Sequence, residues 1–240
     1  MSFAIRLSAV CLAVLVLVGC GESDGARSDG VREGDGGECG RFSSDHGGDD
    51  TRIHTREELE ELHRSRCTDV PGALRIFYVP GVKDLRLVEH IESARIIEIS
   101  HTTDLETLDG LENITGVQLV NLTQNDALTD TSALPSPTGQ RRFRRFKSLV
   151  VHHNDKIQKL EGLEGLSHVG HSISIIPNQR LEEIAGFDSL TSFDGPYIEI
   201  YDNPQLPQCE IQRMLDRLTI EYPDDTDIWI ENNDTAATCE

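Results

Sequence analysis

The sequence has little that is basic and little that is aromatic. Twenty-two Lys and Arg stand against 42 Asp and Glu in 240 residues, a formal net charge of −20. A polyanion needs a basic face, so this balance argues against nucleic acid as a partner. Aromatic residues are only 5% of the chain, with one Trp and four Tyr, and hydrophobic residues only 37%. No apolar run approaches the roughly 20 residues of a membrane-spanning helix, which argues against a multispan membrane protein. Walker loops, G-x-S-x-G and H-E-x-x-H are all missing, and with them the most recognisable signatures of nucleotide hydrolysis, serine hydrolysis and zinc proteolysis. The run GDGGECG (34–40) does not match G-x-G-x-x-G and follows no strand, so it is not a phosphate loop.

What is present begins with an export signal. Arg6 is the only charge in the first 21 residues, and Ala9 to Val18 is an unbroken run of ten apolar residues. A basic start, a short apolar run and a small-residue end describe a secretory signal peptide. The run ends in Leu17-Val18-Gly19-Cys20. This resembles the lipobox of bacterial lipoproteins. The resemblance implies a signal over residues 1–19, lipidation of the Cys20 thiol, cleavage before it and acylation of the new amine. Several acyl chains anchor stably where one binds only marginally. The expected location is the bacterial cell envelope. Gly21 rather than Asp follows the cysteine, which points to the outer membrane. Cleavage removes Arg6 and moves the net charge from −20 to −21.

Residues 21–50 contain nine Gly and six Asp. Such a stretch buries too little apolar surface to offset chain entropy. The expectation is a lipidated cysteine and disordered tether over 20–50, with a root-mean-square reach of roughly 30 Å.

The chain has six cysteines. Cys11 leaves with the signal and Cys20 is the lipidation candidate, so Cys39, Cys67, Cys209 and Cys239 remain. An even number in an exported chain suggests two disulfides, for which three connectivities are possible. Their grouping at the two ends suggests Cys39–Cys67 and Cys209–Cys239. Loops of about 30 residues each contribute roughly 3–4 kcal/mol in the chain-entropy model. C-x-x-C is absent, which argues against zinc or thioredoxin-type chemistry.

The body of the chain is periodic. Six segments begin at Ile97, Val120, Leu149, Ile173, Ile198 and Ile228, at steps of 23, 29, 24, 25 and 30 residues. Each reads Φ-x-Φ-x-x-N, ending at Thr102, Asn125, Asn154, Asn178, Asn203 and Asn233, with Thr102 the one departure. Leu74-Arg75-Ile76 or Phe77-Tyr78-Val79 offers an earlier, irregular rung. Beyond each rung apolar residues recur every third position, as in Leu105, Leu108, Leu111 and Ile114, with Gly110, Gly162 and Gly186 before the third of each set. A period of three suits 3₁₀-like turns better than an α-helix. The paired apolar residues of one rung point inward with period 2. A single coil cannot bury them; stacked coils form a parallel sheet over a shared core. The Asn at each rung's end can bond backbone groups that the turn would otherwise bury unpaired.

The expected fold is therefore a β-rich α/β solenoid, a parallel β-sheet of stacked 23–30-residue coils with short helical caps, over residues 51–240. The Φ-x-Φ-x-x-N rungs, the end cysteines and Asn203-Pro-Gln-Leu-Pro-Gln-Cys209 resemble a leucine-rich-repeat-related solenoid, and more closely the receptor L domain. The resemblance spans about residues 53–240. Ordinary leucine-rich repeats show Asn-x-Leu where this chain shows Asn-x-x-Leu, a departure that favours the L-domain variant. Thr55-Arg-Glu-Glu58 is a capping box for a helix over Arg56 to Ser65. Cys209 to Leu218 has an amphipathic helical pattern, and a Cys209–Cys239 bond would hold it over the last rung.

Few residues point to chemistry. His152-His153 and His168-x-x-His171 are the best histidine candidates for a metal, but in the repeat frame His152 and His153 fill variable turn slots. Asp224-Asp225-Thr226-Asp227 could offer oxygens to calcium, with a plain acidic loop the simpler reading. Three N-x-T sequons begin at Asn113, Asn121 and Asn233, which behind a lipobox read as turn and ladder residues.

Two surfaces stand out. Outward strand positions place Tyr197, Glu199, Tyr201, Trp229 and Glu231 on adjacent rungs, with His152, Ser174 and Ile176 beside them. Outward aromatics are candidate binding anchors, and cross-strand aromatic pairing equally stabilises a sheet. The second surface is the insertion Arg141, Arg142, Phe143, Arg144, Arg145, Phe146, Lys147, which could dock on anionic headgroups or an acidic partner, or neutralise the protein's own carboxylates. These features lead to the expectation of a non-enzymatic, membrane-anchored module that binds a protein or glycan and uses no cofactor or metal. The alternatives are a spacer lipoprotein without a ligand and a metal-dependent hydrolase using His152 and His153.

Overall fold

The computed structural model describes Cys39, residues 49–135 and residues 146–239. The signal region, Cys20, most of the tether and Arg141, Arg142, Arg144 and Arg145 lie outside the described residues.

Among the described residues, ten short strands and two α-helices follow one another as β1 (Thr51–Ile53), α1 (Arg56–Ser65), β2 (Asp69–Phe77), β3 (Ser93–Ser100), β4 (Leu119–Thr123), β5 (Phe146–His152), β6 (His168–Ile176), β7 (Ser192–Phe193), β8 (Tyr197–Ile200), α2 (Gln208–Arg217), β9 (Thr219–Ile220) and β10 (Asp227–Trp229). All strand pairing is parallel, in the order β1-β2-β3-β4-β5-β6-β7-β9, with β8 joining β6 and β10 joining β8. The sheet forks at β6. Its first half pairs through His168↔Ser192 and Val169↔Phe193, and its second half through Ile173↔Ile198.

The register follows the sequence period. Leu74, Ile97, Val120, Leu149, Ile173, Ile198 and Ile228 are consecutive Cα partners across seven strands. Of the two candidate early rungs, Leu74–Ile76 takes this place, because Ile76 pairs with Ile99. A further strand, β1, precedes it, with Thr51 opposite Leu74. The inward residues from Leu74 to Ile198 are all but fully buried. Each such aliphatic side chain contributes about 1.5–3 kcal/mol by leaving water. Single bridges at Thr107↔Asp130, Lys159↔Glu183 and Pro207↔Asp234 form another parallel set.

The period-three segments are tight turns. Leu105 N–H donates to the Thr102 carbonyl, Leu111 to Leu108 and Ile114 to Leu111, each an i→i−3 bond that keeps the apolar side chains on one side. Gly110 is required where two such turns meet. Its φ is +112° and a Cβ would stand 2.1 Å from the Leu85 carbonyl oxygen.

The asparagines form a continuous buried ladder. Asn125 Oδ1 accepts from Thr102 N–H at 3.2 Å, Asn154 Oδ1 from Asn125 N–H at 3.1 Å, Asn178 Oδ1 from Asn154 N–H at 3.0 Å, and Asn203 Oδ1 from Asn178 N–H at 2.9 Å. Asn233 Oδ1 then accepts from Asn203 N–H. Their Nδ2 groups donate backward to the carbonyls of Ile99, Leu122, Val151, Ile175 and Ile200. Thr102 has no amide to reach back another strand, and the strand before it carries Val79 in that slot. The residue before each ladder position is left-handed: Tyr78, His101, Gln124, His153, Asp202 and Asn232 all have φ between 54° and 59°. A side chain that bonds locally or faces water suits that conformation, which explains the polar residues there. Pro177 holds the same slot in the remaining rung, with its φ locked negative.

Both ends are fastened. Thr55 caps α1 reciprocally with Glu58, as the capping box predicts: Glu58 N–H donates to Thr55 Oγ1 and Thr55 N–H to Glu58 Oε2, both at 3.1 Å. Cys39–Cys67 and Cys209–Cys239 are disulfides. The first carries the folded body N-terminal of residue 51. Cys39 is buried and its N–H donates to the Asp69 carbonyl. Helix α2 buries Ile211 and Met214, lies beside the turn at Ile184–Phe187, and is tied at its start to the segment after the last rung by Cys209–Cys239 and by Gln208 N–H donating to the Asp234 carbonyl. Ile228, whose register partners Ile198 and Ile173 are fully buried, stays 39% exposed.

Candidate binding surface on the outward strand face

Side chains alternate across the strands, so Arg75, Glu98, Asn121, Val150, Ser174, Glu199 and Trp229 form one outward column through successive Cα partners. Its N-terminal part is paired within itself. Arg75 lies 3.5 Å from Asp50 and 3.3 Å from Glu98, and Asn121 Nδ2 reaches the other Glu98 oxygen.

In the middle of the face His152 Nε2 stands 2.8 Å from Ser174 Oγ, and Ser174 Oγ donates to Glu199 Oε2 at 3.2 Å. A hydroxyl has one proton, so with Ser174 donating to Glu199, His152 is the Nε2–H tautomer donating to Ser174. Burial, with the neighbouring His153, lowers the His152 pKa to about 4. The imidazole is therefore neutral near pH 7 and spent on an internal bond. The order His–Ser–Glu puts the carboxylate on the serine rather than on the histidine, so it cannot orient the imidazole as a general base. His152 belongs to β5, separated from β8 by β6. It joins the Trp229 surface only through this relay.

The C-terminal part differs in kind. Tyr197 lies opposite Asp227 and Glu199 opposite Trp229 across the β8–β10 pair. Aromatic and carboxylate side chains thus alternate both along each strand and across the pair. Tyr197 and Trp229 are each 45% exposed, and Tyr201 is half-buried. Burial, followed by the charges of Glu199, Asp202 and Glu231, raises the Tyr201 phenol. Of the five large hydrophobic residues exposed among the described residues, Tyr197, Tyr222, Ile228 and Trp229 lie in the last 44 residues; Tyr78 is the fifth. Among the described residues no Lys, Arg or His pairs with Glu199, Asp227 or Glu231. Lys147, the described cation of the basic insertion, is exposed on β5.

Two further groupings follow from columns that a linear reading does not line up. Tyr78 stacks on His101 with ring centroids 4.4 Å apart, at the opposite end of the face. His168 lies between Ser192 Oγ (3.1 Å from Nδ1) and Asp194 Oδ1 (3.0 Å from Nε2). Ser192 lies 24 residues after His168, so the column reading of the period would have found this pair. The amides of Ser192 and Asp194 are already bonded to the carbonyls of Ser167 and Val169 and cannot serve as oxyanion donors. No three His, Cys, Asp or Glu side chains among the described residues gather closely enough to hold a metal ion. Asp224, Asp225 and Asp227 are all exposed around the short Pro223–Asp225 turn. Comparisons with protein-family models, curated proteins and solved structures found no match.

Proposed function

We propose that this protein is a non-enzymatic, lipid-anchored binding module of the bacterial envelope, built as a receptor L-domain-like solenoid, and that it meets a protein or glycan ligand with the outward face of β8 and β10. The solenoid reading is supported by the three sets of parallel pairings that share one period and by the i→i−3 turns between them. The lipobox-like Leu17–Cys20 supports the anchor, and lipidation at Cys20 predicts labelled palmitate incorporation that vanishes in Cys20→Ala.

One observation carries the choice of surface. In a chain with one Trp and four Tyr, Trp229, Tyr197 and Tyr201 stand on two adjacent strands of one face, and the first two are 45% exposed. Water-exposed aromatic area contributes to association when a partner covers it, and such residues dominate binding energies. The expected result is that full-length protein binds isolated envelope fractions and that Trp229→Ala weakens this at least tenfold. Trp229 is a surface residue, so the variant should keep its urea midpoint. Undiminished binding by Trp229→Ala would remove the site assignment, and binding by neither protein would favour a spacer lipoprotein.

A further inference from the structure

Among the described residues the last strand leaves one sheet edge unfilled. β10 pairs with β8 and with no other strand among the described residues. The asparagine ladder stops there, since among the described residues no later side chain accepts from the Asn233 N–H as Asn233 Oδ1 accepts from Asn203 N–H. Ile228 occupies a slot that is fully buried on the two preceding strands yet is 39% exposed, and Ile230 is half-buried where Ile200 and Ile175 are fully buried. Such an edge presents unpaired backbone donors and acceptors together with uncovered apolar side chains, the features that recruit an added strand.

The charge around this edge selects the occupant. Residues 218–240 hold seven carboxylates and no Lys, Arg or His. The outward positions of the edge read Asp227, Trp229, Glu231, with Glu199 beside the indole on β8. A second copy fits poorly. Two β10 edges paired antiparallel about Trp229 would set Asp227 against Glu231, like charges directly opposite. An incoming strand whose outward positions are Lys or Arg instead meets a carboxylate, an indole face and another carboxylate. The central cation then gains a cation–π contact in a carboxylate-flanked setting. The alternate, inward positions of that strand must be apolar, because they lie over Ile228 and Ile230.

We propose that the free edge of β10 captures an extended segment of a partner protein in which basic and apolar residues alternate, and that this segment becomes the next parallel strand of the sheet. The proposal deepens the binding-module reading and rests on it. It differs in naming backbone pairing and a cationic alternating sequence as what is recognised.

The single tryptophan makes the site self-reporting. Full-length protein is titrated at low ionic strength with capped Lys-Val-Lys-Val-Lys-Val-Lys while Trp229 emission is followed. The controls are Lys-Lys-Lys-Lys-Val-Val-Val, of identical composition, and Glu-Val-Glu-Val-Glu-Val-Glu. The expected result is a saturable emission change with the alternating cationic peptide, at least tenfold weaker with the block peptide and absent with the acidic one. Asp227→Asn with Glu231→Gln, both exposed and free of ion pairs, should weaken binding at least tenfold without moving the urea midpoint. Equal binding of block and alternating peptides would reduce the effect to diffuse electrostatics and overturn the proposal. No binding of either peptide, while Trp229-dependent binding to envelope fractions persists, would overturn the proposal and leave the surface assignment standing. Self-association in sedimentation that is lost in Trp229→Ala would assign the edge to a second copy and also overturn it.

Discussion

Removing one amide from the middle of the asparagine ladder should cost more than removing any single exposed contact. In Asn178→Ala two buried partners lose their only side-chain bonds from that residue: the Asn154 N–H, 3.0 Å from Oδ1, and the Val151 carbonyl, 2.9 Å from Nδ2. Asn203 Oδ1 keeps the Asn178 backbone N–H at 2.9 Å and is not orphaned. The Asn154 N–H is left unsatisfied, at about 1–3 kcal/mol, while the Val151 carbonyl keeps its strand pairing to β6 and loses one bond of about 1 kcal/mol, so the total is about 3 kcal/mol. For a folded body of this size that corresponds to a melting-temperature drop of roughly 6–12 °C. Thr102→Val deletes a long 3.4 Å hydroxyl bond and keeps the backbone N–H that Asn125 accepts, so it should cost about 1 kcal/mol or less. The assay is urea unfolding followed by circular dichroism with both disulfides intact. If Asn178→Ala and Thr102→Val cost the same small amount, the ladder is an ornament of the turns rather than a stabilising network.

Other expectations follow from single residues. His152 has its pKa lowered from 6.5 to about 4, so the fold favours the neutral form. Its contribution is present above about pH 6.5 and is lost as pH falls toward 4, amounting to about 3 kcal/mol at most. Urea midpoints at pH 7 and pH 4 should therefore converge in His152→Gln relative to the parent; an unchanged difference would place the acid sensitivity elsewhere. Gly110→Ala introduces a Cβ 2.1 Å from the Leu85 carbonyl at φ +112°, and a destabilisation of at least about 2 kcal/mol is expected by thermal melting.

The readable part of the sequence was the part written in repeated local terms. The rung period, the inward aliphatic pairs, the period-three turns and the Thr55–Glu58 cap each depend on residues a few positions apart, and each appears at its expected place in the structure. The β1 rung was not legible because Thr51-Arg52-Ile53 is only three residues long and lacks the closing Asn. Its strand state depends on pairing with β2. The pairing of Cys39 with Cys67 was legible, but the burial of Cys39 was not. Its surroundings are glycine-rich and acidic, and the disulfide together with backbone bonding to Asp69 and the Thr51 hydroxyl draws it into the body.

What the site does with its residues belonged to the tertiary level. Alternation along a strand announces that His152 and Trp229 both face outward. It cannot say that Ser174 and its neighbours bury His152 as a neutral donor, while Trp229 stands in water because, among the described residues, no further strand pairs with β10. Nor does a list of acidic residues reveal which are paired: Glu98 meets Arg75 on the adjacent strand, whereas Asp227 and Glu231 meet no described cation. The sequence by itself determined the period, the parallel register and the places of the ladder asparagines, because those follow from which side chains can share an interior. Only the tertiary structure decided burial, protonation and exposure along the outward face, because these depend on what lies on the neighbouring strand and on where the stack of strands ends.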